Sequence, residues 1–77
     1  MFSTGGRVKG RFEYATVEWL WDSGGIRADL PGGDTKNAQG EYAAVVKMLS
    51  ELGRDGWEVS TCVASANWLF WTLKRNA

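Results

Sequence analysis

Histidine is absent from the chain, cysteine and proline occur once each, and nine cations balance nine anions. Each shortage excludes something. With no histidine and a single thiol, Cys62, one protomer can assemble neither a tetrahedral nitrogen/sulfur metal site nor an internal disulfide. Asp29 and Asp34 stand five apart without the alternating oxygen ligands of a calcium loop, so no metal and no cofactor are expected. The missing histidine also removes the commonest proton shuttle near neutral pH. Carboxylates, Tyr14, Tyr42, lysines and serines remain, yet no nucleophile, base and orienting group can be read together from them. Pairs such as Glu18 and Asp22 read as ordinary surface acids, Cys62 as an inert buried thiol, and the chain as a non-enzyme. Balanced charge gives no argument for nucleic acid or an anionic membrane. No apolar run approaches the ~20 residues that span a bilayer, and the polar stretch 2–6 is unlike a secretory signal. A soluble, cytoplasmic protein is expected.

A chain of 77 residues forms one domain, 1–77, and buries only roughly 60% of the surface its unfolded form exposes. Disulfide and metal being excluded, oligomerisation is the reinforcement left to so small a core. Residues 1–9 are expected as a flexible N-terminal segment.

Residues 11–21 are aromatic and β-branched without glycine or proline, which predicts a first strand. Its apolar alternation slips near Thr16, from Phe12 and Tyr14 to Val17, Trp19 and Trp21, suggesting a bulge or burial on both faces. Gly24, Gly25, Gly32, Gly33 and Pro31 make 22–36 a glycine-rich loop, within which 26–30 is a candidate short edge strand. A helix is predicted from an N-cap at Asn37 to Leu52, with Tyr42, Val45, Leu49 and Leu52 on one face, Val46 and Met48 flanking, and Gly53 as its left-handed stop. Residues 57–64 then alternate as a second strand, Trp57, Val59, Thr61 and Val63 on its apolar side. After a turn at 65–67, residues 68–73 make a third strand, with Leu69, Trp71 and Leu73 on one side and Trp68 and Phe70 on the other. The class is α+β: a small three-stranded, mainly antiparallel sheet with one helix on one face. The order is strand, helix, strand, strand, and the third strand lies between the other two.

The stretch Phe12-Glu13-Tyr14, with Leu52-Gly53-Arg54-Asp55-Gly56-Trp57-Glu58 after the helix, resembles a family of small bacterial and phage proteins classed as a domain of unknown function, the DUF family numbered 4177. Its members open with an aromatic-Glu-Tyr strand and carry a Leu-Gly-x-x-Gly-Trp-Glu turn. The resemblance covers most of residues 11–75. It implies this one-helix fold and carries no activity. The glycine-rich insertion and the tryptophan-heavy third strand depart from the family's pattern.

This topology predicts two unlike ends. One gathers Arg7, Lys9, Arg11, Arg54, Lys74 and Arg75, which either grip phosphate or pair with Glu13, Asp55 and Glu58 at the helix C-terminus. The other gathers Trp19, Trp21, Trp68 and Trp71 with Arg27, a set suited to stacking on a planar or anionic ligand such as a nucleotide, with the glycine loop as lid. The bland alternative is that these rings belong to the core or to a subunit interface. One helix covers one sheet face, leaving Trp68 and Phe70, with Val17 and Trp19 and the small Ser60, Cys62 and Ala64, for a second copy of the chain. The leading expectation is a non-catalytic homo-oligomer that captures a small nucleotide-like ligand. Its rivals are an assembly module without a ligand and a single-strand nucleic-acid binder; the latter is disfavoured because cations and aromatics sit at opposite ends.

Overall fold

The computed structural model describes residues 11–77. The N-terminal segment 1–9, with Arg7 and Lys9 of the basic end, lies outside the described residues. The chain forms an α+β fold, a single antiparallel sheet of five strands carrying one helix. Strand β1 is Phe12–Leu20, β2 Gly25–Asp29, β3 Thr35–Gln39, β4 Glu58–Ala64 and β5 Trp68–Asn76, and helix α1 is Tyr42–Arg54. The spatial order is β3-β2-β1-β5-β4. Strand β5 therefore separates β1 from β4, and β1 and β4 run the same way, the topology expected of the three principal strands.

The expected glycine-rich loop is mostly a hairpin. The segment expected as a short edge strand is β2, which is no edge: a second strand, β3, pairs with its outer side from Gly25↔Gln39 to Asp29↔Thr35 around a 3-10 turn at Pro31–Gly33 and takes the edge itself. Asn37 thus lies inside β3, and α1 starts five residues later with Glu41 at its N-cap. Every residue of β3 is exposed, so no buried apolar alternation marked it in the sequence.

The helix ends on a Schellman motif, in which Trp57 N–H donates to Leu52 O at 3.1 Å and Gly56 N–H to Gly53 O at 3.0 Å. Gly56, at φ +93°, supplies the left-handed residue, and Gly53 remains helical. Leu52 and Trp57, on either side of that turn, are both buried.

Residues paired across strands share a face, which sorts the sheet without ambiguity. Toward α1 point Ala15, Val17 and Trp19 of β1, Ile26 and Ala28 of β2, and Leu69, Trp71 and Leu73 of β5. They enclose Val45, Met48 and Leu52 of the helix. Met48 belongs to the buried stripe, whereas Tyr42, expected there, is 59% exposed. Ile26, Leu52, Leu73 and Val17 are fully enclosed, each contributing about 1.5–3 kcal/mol. No polar or charged residue is buried among the described residues.

The slip at Thr16 is not a bulge, because β1 pairs with β5 without interruption from Phe12↔Asn76 to Leu20↔Trp68. It records a change of face: Phe12 and Tyr14 lie on the side away from the helix. The bulge is in β4, where the register shifts between Val59 and Thr61. Val59, Cys62 and Ala64 consequently lie on the helix side, while Thr61 and Val63 join Phe70 and Thr72 on the other. No helix of the described residues is long and apolar enough to cross a membrane.

Candidate ligand site at the aromatic end

The sheet divides the residues expected to form one aromatic site. Trp19 and Trp71 face the helix, while Trp68, paired with Leu20, and Arg27, paired with Glu18, occupy the opposite face. Trp71 sits midway along β5 opposite Val17, and Trp21 follows the last residue of β1. Arg27 is held by its own neighbour, donating to Asp29 Oδ1 from Nε at 3.2 Å and Nη2 at 3.1 Å. The glycines divide as well. Gly24 and Gly25 precede or begin β2 beside Trp19 and Trp21, whereas Gly32 and Gly33 lie beyond its other end and cannot close over the same rings.

Trp19 and Trp21 do come together. Their ring centroids are 6.2 Å apart at an interplanar angle of 52°, and Tyr42 stacks obliquely on Trp19 at 4.7 Å. Trp19 is buried and spends its indole Nε1–H on Gly40 O at 3.0 Å. That bond ties β1 to the link between β3 and α1. Gly40 has to be glycine there: its φ is +151°, and an added Cβ would stand 2.7 Å from Ala44 Cβ. A second tie joins the two loops, through Gly40 N–H to Gly24 O at 2.9 Å and Gln39 Nε2 to Ser23 O at 2.8 Å.

Between these ties and the half-exposed Trp21 ring is a cavity of about 220 Å³, lined by Trp19, Trp21, Asp22, Ser23, Gln39 and Glu41 with Gly24 and Gly40. No cation lines it. Its two indoles are legible in the sequence, whereas Asp22 and Glu41 as its charged groups are not, because the polar β2–β3 hairpin that brings residues 39–41 beside 21–24 leaves no apolar periodicity.

A wider groove of about 480 Å³ runs between β3 and α1, with Ala38, Ala44 and Met48 as floor and Lys36, Lys47 and Glu51 at its rim. This is where two lysines lie together among the described residues. At the basic end, Arg75 is committed to the fold: its Nε donates to Glu13 Oε1 at 2.7 Å, its Nη1 to Asp55 O at 2.8 Å, and its guanidinium lies 4.3 Å from the Trp57 ring centre. Lys74 lies 5.0 Å from the centre of the Phe12 ring. Arg11 and Arg54 are exposed.

The face away from the helix carries the third group of aromatics. Trp68 and Phe70 meet edge to face at 6.2 Å, flanked by Leu20 at 40% and Val63 at 53% exposure. Of the residues expected to meet a second copy here, Val17 is 0% exposed and Trp19 6%, both in the core beneath the helix. Cys62, expected to be buried, is exposed with Ala64 on the helix side of β4, because the helix does not reach that edge strand.

The fold defines the class: one helix on a five-stranded antiparallel sheet, with apolar side chains left on its open face. Compared with protein-family models, curated proteins and solved structures, the chain finds no match.

Proposed function

We propose that the chain is a non-catalytic, homo-oligomeric binding module that packs copies of itself through the open sheet face and captures a small planar ligand between Trp19, Trp21 and the adjoining loops. The turn from Leu52 to Glu58 supports placing it with the domain-of-unknown-function family it resembles. One observation carries the reading: the exposed Leu20 and Val63 and the partly buried Trp68 and Phe70 form a contiguous apolar group on a face with no helix. Monomers rarely leave such patches without use. Five strands of five to nine residues present a face on the order of 550 Å² from strand spacing and rise. That is roughly two-thirds of the ~800 Å² per partner of a standard interface. Catalysis has little to draw on, since side-chain pairs among the described residues are limited to Arg27–Asp29 and Arg75–Glu13, both at the surface.

An assembly module without a ligand is the rival, and the nucleotide form of the capture reading would need the Lys36–Lys47 groove to supply its cations. Sedimentation equilibrium together with native mass spectrometry separates them. The expected result is a multiple of the protomer mass, reduced to the single chain by Val63→Lys or Phe70→Lys. A folded single chain at high concentration before any substitution overturns the proposal. A clean oligomer that takes up no small planar molecule favours assembly alone.

A further inference from the structure

We infer that the cavity beside Trp21 selects a planar organic cation, an amidinium or guanidinium carried on one ring, rather than the anion that a stacking site of tryptophans first suggests. The inference rests on the capture reading and fixes the charge of what is captured. Its basis is a census of donors and acceptors. Trp19 Nε1, Gln39 Nε2 and the backbone N–H groups of Gly24, Gly25 and Gly40 all donate within the fold, to Gly40 O, Ser23 O, Leu20 O, Ser23 Oγ and Gly24 O respectively. Trp21 Nε1, the Ser23 hydroxyl, the second N–H of the Gln39 amide and the backbone N–H groups of Asp22, Ser23 and Glu41 remain as donors, every one of them neutral. Against them stand the carboxylates of Asp22 and Glu41 and the Gln39 amide oxygen.

Charge points the same way. Neither Asp22 nor Glu41 forms an ion pair among the described residues, and Glu41, though at the N-cap of α1, makes no side-chain cap bond. The helix end contributes a partial charge of about +0.5, which two full negative charges outweigh. Arg27, the cation expected beside these rings, is on the opposite face and occupied by Asp29. An exposed indole face adds attraction for a cation over its ring. The volume of about 220 Å³ is below the roughly 300 Å³ at which ordinary ligand pockets begin. It therefore suits a single ring better than a base, a sugar and a phosphate together.

Benzamidine, benzamide and benzoate share one shape and differ in charge, so they isolate the sign of the site. Each is titrated into the full chain while the indole N–H resonances are followed by NMR. Benzamidine is expected to shift the Trp21 and Trp19 signals and to bind at least tenfold more tightly than benzamide, with benzoate inactive. The double variant Asp22→Asn, Glu41→Gln, its indole dispersion otherwise unchanged, should lose at least tenfold of that affinity. Tighter binding of benzoate at these two indoles overturns the inference and leaves the capture reading standing. A benzamidine response confined to other tryptophans, or unaffected by the double variant, overturns it too. Silence from all three probes defeats both.

Discussion

Gly53 and Gly56 stand three residues apart at the end of α1, and only Gly56 has a positive φ, +93°. Gly53 is helical, exposed and has nothing within 4 Å of where a Cβ would stand. Alanine there removes the entropy cost of glycine in a helix, so Gly53→Ala is expected to stabilise by about 1 kcal/mol in urea denaturation. Gly56→Ala should do the reverse by about 1–2 kcal/mol. Its Cβ would meet Arg75 Cδ at an unstrained 3.9 Å, and the cost is the left-handed backbone alone. Equal effects at the two positions would refute the assignment of Gly56 as the stop. The sequence shows both glycines and the tryptophan after them, but not which glycine ends the helix. That choice depends on Trp57 and Leu52 being buried together across the turn, a tertiary fact.

At the scale of elements, what was legible had buried periodicity. Strand β5 alternates Leu69, Trp71 and Leu73 against Trp68 and Phe70, and that pattern alone distinguishes its two sides. Strand β3 had no such signal. Residues 35–39 are polar and exposed on both sides, held by pairing with β2 rather than by any side chain of their own. Without β3 as a strand the helix start falls too early in the chain, and nothing in the sequence sets Glu41 beside Asp22. The basic end was similarly legible in composition and not in role. Arg75 joins the end of β5 to Glu13 of β1, to the carbonyl of Asp55 beyond α1 and to the ring of Trp57 before β4. Arg75→Met keeps the stem and loses the bonds, and should cost about 1–2 kcal/mol, the ion pair being partly exposed. Arg75→Lys is expected to recover less than half of it, because an ammonium cannot fork between two acceptors while lying over an indole. Full recovery with lysine would reduce the tie to simple charge.

For the whole molecule, the question is what supplies the stability that one helix on a five-stranded sheet leaves short. Strand β4 is exposed at all seven positions, on both faces and along the sheet's outer edge, and its single charge is Glu58. Native edges of this length are normally guarded by lysine, proline or a covering element, and here the bulge at Ser60 is the one such device. The open face beside it carries Val63, Phe70, Trp68 and Leu20. If copies fold and associate together, stability follows concentration by mass action. A tenfold rise in protein is about 1.4 kcal/mol per dimer, shared between two protomers. For a domain of this size that amounts to roughly 3–5 °C in Tm. Thermal unfolding followed over a hundredfold range of concentration should therefore climb steadily for the native chain. It should stay level for Val63→Lys, whose charge on the open face makes dimer burial costly without touching the core under the helix. A native chain whose Tm ignores concentration would mean that the open face is solvated in a stable monomer, and that Trp68 and Phe70 earn their place by contact with something other than a second copy.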